Sequence, residues 1–100
     1  MIRHIVFFKF KPEVTERDMK TLEDGLASLP GIIPEIRQYE FGRDIMRSER
    51  SFDFALVSSF DDSNSLRKYI SHPDHQKVLK HINRISSSLK SVDFELRGPD

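Results

Sequence analysis

The sequence predicts an α+β domain of the ferredoxin-like class, in which helices cover one face of a four-stranded antiparallel sheet. Three observations predict this class. The segments follow the order strand, helix, strand, strand, helices, strand, and the apolar residues of each segment repeat at strand or helix spacing. The length of 100 residues suits one domain. Residues 1–100 are therefore interpreted as a single βαββαβ domain.

The first strand is predicted over Ile2–Phe10 and is ended by Lys11-Pro12. Its even positions form a face that is apolar apart from His4, and its odd face carries Ile5 and Phe7 at the centre. A sheet with helices on one side needs only one apolar face. The second apolar face predicts a symmetric homodimer with Ile5 and Phe7 in the interface.

The first helix is predicted to begin after an N-cap at Thr15 and to stop at Pro30-Gly31. Acidic residues in its first turn suit the positive end of the helix dipole. Strands are predicted over residues 35–43 and 52–60, with the polar residues 44–51 as the loop between them. The apolar residues of the helix recur at spacings of three and four: Met19, Leu22, Leu26 and Leu29.

Two further helices are predicted on either side of His72-Pro73. Asp61–Asn64 supplies turn and cap residues for the first, and Pro73 suits the first turn of the second while disfavouring helical angles at His72. The apolar series of the second helix extends to Leu89, with serines 86–88 weakening its end. A fourth strand is predicted from the alternation of Val92, Phe94 and Leu96 with charged residues.

The composition excludes several classes of function. Sixteen basic residues balance sixteen acidic ones without a dense basic tract, so nucleic acid is not expected as a partner. The chain has no cysteine, which removes disulfides, thiolate zinc sites and thiol nucleophiles. No segment is long and apolar enough for a signal or membrane span, and a cytoplasmic location is expected. There is no glycine-rich phosphate loop, and no cofactor is expected.

The candidate site is the segment Tyr69–His75, which holds two of the four histidines and one of the two tyrosines. His75 precedes apolar helix positions by three, four and seven residues, so it should point at the sheet. If the apolar face of the first strand is the covered one, His4 borders the same cavity. An imidazole titrating near neutrality beside a phenol can move a proton. The predicted apolar walls are Val6, Phe8, Leu22, Leu26, Phe54, Leu56, Val78, Leu79 and Ile82.

Structural interpretations of the same residues stay open. Each histidine can be a core residue that bonds a backbone carbonyl, and Tyr69 can be a packing residue with its hydroxyl at the surface. A metal site is not expected, because His72 precedes the proline break and His81 lies about 240° around the helix from His75.

Four features resemble the stress-responsive A/B barrel domains, also called dimeric α/β barrel or Dabb proteins. They cover nearly the whole chain, and the tyrosine with the His-Pro-Asp-His element is the most specific. The features are His4 followed by residues 5–11, Ile33-Pro34 with Phe41–Asp44, Phe60 at the end of the third strand, and Tyr69–His75.

The resemblance implies a homodimer whose two sheets close a barrel, with a separate pocket in each monomer between sheet and helices. Most members have no assigned reaction, and several are linked to stress responses. A plant polyketide cyclase of the family uses a tyrosine and a histidine of this element as the acid/base pair of an intramolecular aldol condensation. Those roles fall on Tyr69 and His75. A third-strand histidine of that enzyme is replaced here by Phe54, which implies a less polar pocket.

The first hypothesis is a homodimer that binds a small, largely apolar organic molecule in each monomer, with His4, Tyr69 and His75 as the polar groups of the pocket. Any reaction would be a cofactor-independent lyase, cyclase or isomerase step with His75 as base and Tyr69 bonded to a carbonyl or enolate oxygen. Two alternatives stay open. One is a non-enzymatic, stress-associated structural or binding protein, and the other is a cofactor-independent small monooxygenase of the same architecture.

Overall fold

A computed structural model of the protein describes residues 1–97, so the last three residues of the predicted domain lie outside the described part. The sheet is antiparallel, with the strand order β2-β3-β1-β4. This arrangement confirms the predicted ferredoxin-like fold. The elements are β1 (Ile2–Phe10), α1 (Glu16–Ser28), β2 (Gln38–Arg43), β3 (Phe54–Phe60), α2 (Ser63–Ser71), α3 (Pro73–Ile85) and β4 (Ser86–Glu95), with a 3₁₀ turn at Leu29–Gly31.

Strand β1 lies inside the sheet and pairs with β3 on one side and with β4 on the other. Its even side chains face the helices, where Phe8 is buried in the core. On the opposite face Phe7 is 43% exposed, and Ile5 lies between Val57 and Val92 of the neighbouring strands. The open sheet face of a single chain therefore carries an apolar centre, as the alternation in β1 predicts.

Local signals set the helix boundaries. Thr15 is the N-cap of α1, and its hydroxyl accepts a hydrogen bond from the Asp18 N–H at 3.1 Å while the Asp18 carboxylate accepts one from the Thr15 N–H. This capping box confirms the predicted helix start. His72 separates α2 from α3 with an extended backbone, and its Nδ1 accepts a hydrogen bond from the Asp74 N–H at 3.1 Å. The ring of His72 thus caps α3.

The boundary between α3 and β4 differs from the prediction. Helix α3 ends at Ile85, and the serines expected to weaken it begin β4 instead. Leu89 therefore belongs to the strand, where it lies opposite Phe8. Serine is a weak helix former, and pairing with the whole length of β1 satisfies the backbone groups of this segment. The extension of the helix to Leu89 was wrong.

Strands β2 and β3 each begin later than predicted. Residues 33–36 form a turn, in which the Ile36 N–H donates to the Ile33 carbonyl at 3.2 Å, so β2 begins only at Gln38. Asp53 accepts a hydrogen bond from the Phe10 N–H at 2.8 Å through its side chain, and the ladder of β3 begins one residue later.

The space between sheet and helices contains two clusters of buried residues. The larger one joins α1 and α3 to the sheet through Leu22, Leu26, Phe54 and Ile82 among others. The smaller one surrounds Tyr69 with the residues Leu29, Ile33, Phe60 and Leu66. Within residues 1–97, no helix is both long and apolar enough to cross a bilayer.

Candidate functional site

A cavity of about 220 Å³ lies between the covered sheet face and helices α2 and α3. Other cavities, of about 320 and 390 Å³, border the loop between β2 and β3, and neither is lined by a histidine or a tyrosine. The histidine and tyrosine side chains that can take part in a reaction therefore lie at the cavity of about 220 Å³. Its lining consists of His4, Val6, Phe8, Leu26, Leu56, Tyr69, Ile70, His75, Leu79, Ile82, Leu89, Lys90 and Ser91.

Three of the predicted wall residues lie outside this lining. Leu22 is fully buried in the core, and Phe54 packs edge-on against Phe8 with ring centroids 5.2 Å apart. Val78 packs against α1, where a Cβ built on Gly25 would lie 3.3 Å from its Cγ2. These side chains support the walls from behind.

Four lining residues are absent from the sequence prediction: Ile70, Leu89, Lys90 and Ser91. Three of them belong to β4, which begins at Ser86 and therefore earlier than the strand predicted from Val92 onward. The clue was the serine run before Leu89, which separates a helical from an extended segment. Since the side chains of Ser91 and Asp93 are exposed, the β4 edge is the open side of the site.

Tyr69 lies at the inner end of the site. Its side chain is 1% exposed and packs against Phe60, with ring centroids 4.9 Å apart. Its hydroxyl lies 2.8 Å from the hydroxyl of Tyr39, a residue of β2 that the sequence analysis did not select. The alternative that placed the Tyr69 hydroxyl at the surface is therefore wrong.

Burial raises the pKa of Tyr69 to about 12, because a phenolate is poorly solvated at this position. Burial likewise raises the pKa of Tyr39. Both side chains are therefore neutral phenols at physiological pH. Tyr69 can donate a hydrogen bond to a ligand oxygen, but it is not a base.

The break at His72-Pro73 positions His75. Because α2 stops at Ser71, the carbonyl of Ile70 in its last turn lacks a helical partner. The Nδ1–H of His75 donates to this carbonyl at 3.0 Å, which leaves Nε2 as the acceptor of a neutral ring. The ring lies 4.3 Å from that of Tyr69, measured between centroids. The backbone-carbonyl bond expected of a structural histidine is thus present, and it also fixes the tautomer.

The pKa of His75 lies below its usual value chiefly because burial disfavours the imidazolium. The neighbouring His4 and His72 rings lower it further, although the Ile70 carbonyl opposes the shift. His75 is therefore neutral at physiological pH.

His4 makes a different contact. Its Nδ1 bonds the carboxylate of Asp93, the residue directly opposite it in β4. A carboxylate only accepts, so the proton lies on Nδ1 and the ring is oriented by Asp93. The His4 ring meets that of Tyr69 edge-on at 6.3 Å between centroids. Asp93 was not predicted, because the pairing of the first and last strands is not visible in either segment alone.

The other two histidines lie outside the cavity. His72 caps α3, and His81 Nε2 donates to the Asp18 carbonyl of α1 at 3.0 Å. No set of three or more potential metal ligands converges among residues 1–97. The cavity thus combines an apolar wall with two oriented imidazoles and one phenol.

Comparison with known proteins places this geometry in a family. Residues 2–96 match the model of the Stress responsive A/B Barrel Domain, Dabb. The chain belongs to this family, as the sequence resemblance predicts.

Individual relatives share sequence with the chain, and one solved structure also shares its fold. An uncharacterized protein of Streptomyces coelicolor is 35% identical over 76% of this chain and 80% of its own length. The olivetolic acid cyclase of Cannabis sativa is 26% identical over 74% of this chain and 75% of its own. The crystal structure of a dimeric ferredoxin-like protein of unknown function from Thermobifida fusca superposes with a TM-score of 0.87 and is 35% identical, covering 95% of this chain and 90% of that one.

Proposed function

We propose that the protein binds a small, largely apolar carbonyl compound in this cavity and moves a proton at the carbon next to the carbonyl. The observation that supports it best is the meeting of the His75 and Tyr69 rings at one apolar cavity. The similarity to a cyclase supports the same class of chemistry. The reaction would be a lyase, cyclase or isomerase step without a cofactor.

The roles of the two rings follow from their hydrogen bonds. His75 presents a neutral Nε2, which accepts the proton from the carbon. The electron pair of the broken C–H bond moves to the carbonyl oxygen and gives an enolate. The Tyr69 hydroxyl donates to that oxygen and stabilises its charge. For an exchange, the proton on His75 is replaced by one from solvent before His75 returns a proton to the same carbon. For an isomerisation, His75 delivers the proton to a different carbon.

The walls restrict the size of the ligand. The cavity of about 220 Å³ is smaller than the roughly 300–1,000 Å³ of pockets for drug-sized molecules. A ligand with one ring or a short chain fits this space. Val6, Leu56 and Leu79 supply apolar contact, and the open edge at β4 gives access.

Replacement of His75 by alanine tests the proposal. The probe is acetophenone in D₂O, and the measurement is the rate at which its methyl protons exchange, followed by NMR. The wild-type protein should accelerate the exchange, and H75A should lose about 100-fold or more of that acceleration, the usual contribution of a positioned base. H81A is the matched control, because His81 lies on the same helix but contacts α1. It should retain the wild-type rate.

Two results would contradict the proposed catalysis. An H75A variant that exchanges the methyl protons as fast as the wild type would remove His75 from the role of base. Binding of acetophenone without accelerated exchange in the wild type would favour the non-enzymatic binding protein.

The protonation of His75 gives an independent prediction. Since burial lowers its pKa, NMR titration of the histidine side chains should place the midpoint of His75 below 6.5. Acetophenone should lower this midpoint further, because a ligand that buries the neutral ring makes protonation harder. Proton exchange of the probe should then decline only below the midpoint. A midpoint above 6.5, or a rise on ligand addition, would contradict the assignment of His75 as a buried neutral base.

A further inference from the structure

The two tyrosines of the chain form a pair inside the fold. Tyr39 and Tyr69 are 30 residues apart in sequence, yet their hydroxyl oxygens lie 2.8 Å from each other. One comes from β2 and the other from α2. Of the two, only Tyr69 lines the cavity. Tyr39 packs behind it, with the ring centroids 6.1 Å apart.

The surroundings of the pair decide which hydroxyl donates. Within residues 1–97, neither hydroxyl has another hydrogen-bond partner. If Tyr69 donated to Tyr39, the half-buried Tyr39 would keep a proton that lies away from the cavity and has no protein acceptor among the described residues. If Tyr39 donates to Tyr69, the remaining proton is that of Tyr69, the member of the pair that lines the cavity. There a ligand or a water can accept it.

We propose that Tyr39 is a positioning residue that donates its hydrogen bond to Tyr69 and thereby directs the Tyr69 proton at the oxygen of the ligand. This inference rests on the proposed function, since it names the group that orients the donor for the carbonyl. A hydroxyl that accepts one hydrogen bond also donates a stronger one. The pair therefore selects ligands by an acceptor oxygen, and it distinguishes a ketone from a hydrocarbon of the same shape.

Both phenols stay protonated, because burial raises the pKa of each tyrosine. A neutral Tyr69 that accepts a hydrogen bond from Tyr39 keeps its own proton to donate to a developing enolate.

The test compares two probes in the wild type, Y39F and Y69F. Acetophenone and isopropylbenzene share the phenyl ring and are similar in size, but isopropylbenzene carries a hydrogen and a methyl group in place of the ketone oxygen. The chain has two tyrosines, so ¹³C labelling of tyrosine in the wild type gives two signals, both from this pair. The change of these signals during titration with a probe gives its dissociation constant. Thermal melting verifies that each variant is folded.

The wild type should prefer the ketone about fivefold, the ratio expected of one net hydrogen bond. In Y39F this preference should fall to about twofold, while the affinity for isopropylbenzene stays unchanged. A preference that is unchanged or higher in Y39F would overturn the inference. That result is expected if Tyr69 donates to Tyr39 in the wild type, because loss of the Tyr39 hydroxyl then frees the Tyr69 proton for the ligand. A Y69F variant that keeps the full preference would instead overturn the role of Tyr69 in the proposed function.

The hydroxyl protons provide a second measurement, which needs neither a variant nor a ligand. In the wild type at low temperature, the Tyr39 hydroxyl proton should exchange slowly with water and give an observable NMR signal, and that of Tyr69 should exchange fast through the open cavity. A slow Tyr69 proton with a fast Tyr39 proton would overturn the inference. If neither probe binds, the proposed function fails, and this measurement alone decides the direction of the hydrogen bond.

Discussion

The double variant I5E/F7K should be a monomer or insoluble, whereas the wild type should be a dimer. Ile5 and Phe7 form the centre of the open sheet face, beside the exposed Val92 and Phe94 of β4. Each large apolar side chain that a partner covers contributes up to about 1.5–3 kcal/mol, and a two-fold interface contains each residue twice. Burial of the introduced charges adds a further penalty. The dissociation constant should therefore rise about 1,000-fold or more.

Sedimentation velocity at several protein concentrations measures this change, and circular dichroism verifies the fold of the soluble fraction. I32E is the matched control, since Ile32 is 45% exposed, much like Phe7 at 43%, but follows the 3₁₀ turn outside the sheet. It should remain a dimer. A well-folded I5E/F7K dimer would mean that the subunits associate through another surface. The solved relative from Thermobifida fusca is described as dimeric, in agreement with the expected outcome.

The second large effect concerns stability. Leu22 is fully buried and lies outside the cavity lining, so L22A should lower the free energy of unfolding by about 2–5 kcal/mol. Leu79 is partly exposed and borders the cavity, where its side chain already lacks neighbours on one side. L79A should lower the free energy of unfolding by less than L22A does, and it should enlarge the space for a ligand.

Urea unfolding at one fixed protein concentration compares the two variants, because the stability of a dimer depends on concentration. The difference between them is the informative quantity. If L79A proves as costly as L22A, the space beside Leu79 is filled in solution, and the proposed ligand site is closed.

Local signals account for what the sequence predicts correctly. The alternation in β1, the Thr15 cap and the His72-Pro73 break each involve neighbours in the chain, and the structure contains all three. The placement of His75 follows as well, since helical periodicity and the proline break act together on one short segment. These features can be read without knowledge of the partner strands.

The residues that the sequence analysis missed depend on pairing between distant segments. Asp93 reaches His4 only because β1 and β4 pair in a particular register, and Tyr39 reaches Tyr69 across β2 and α2. The weak alternation of the second strand does not identify its covered face. Hydrogen-bond partners from other elements are fixed by tertiary packing, which propensity and spacing do not encode.

The position of β1 between β3 and β4 has a consequence for biosynthesis. His4 and Asp93 are separated by 89 residues in the chain but are direct neighbours in the sheet. Ribosomes deliver the amino-terminal segment first. Strand β3 can cover one edge of β1 early, but the edge that pairs with β4 stays unpaired until the last strand has left the exit tunnel. A nascent chain stalled before Ser86 holds every element except β4, yet it lacks one wall of the cavity and the carboxylate that orients His4. The site is therefore completed only after translation has passed through the final strand.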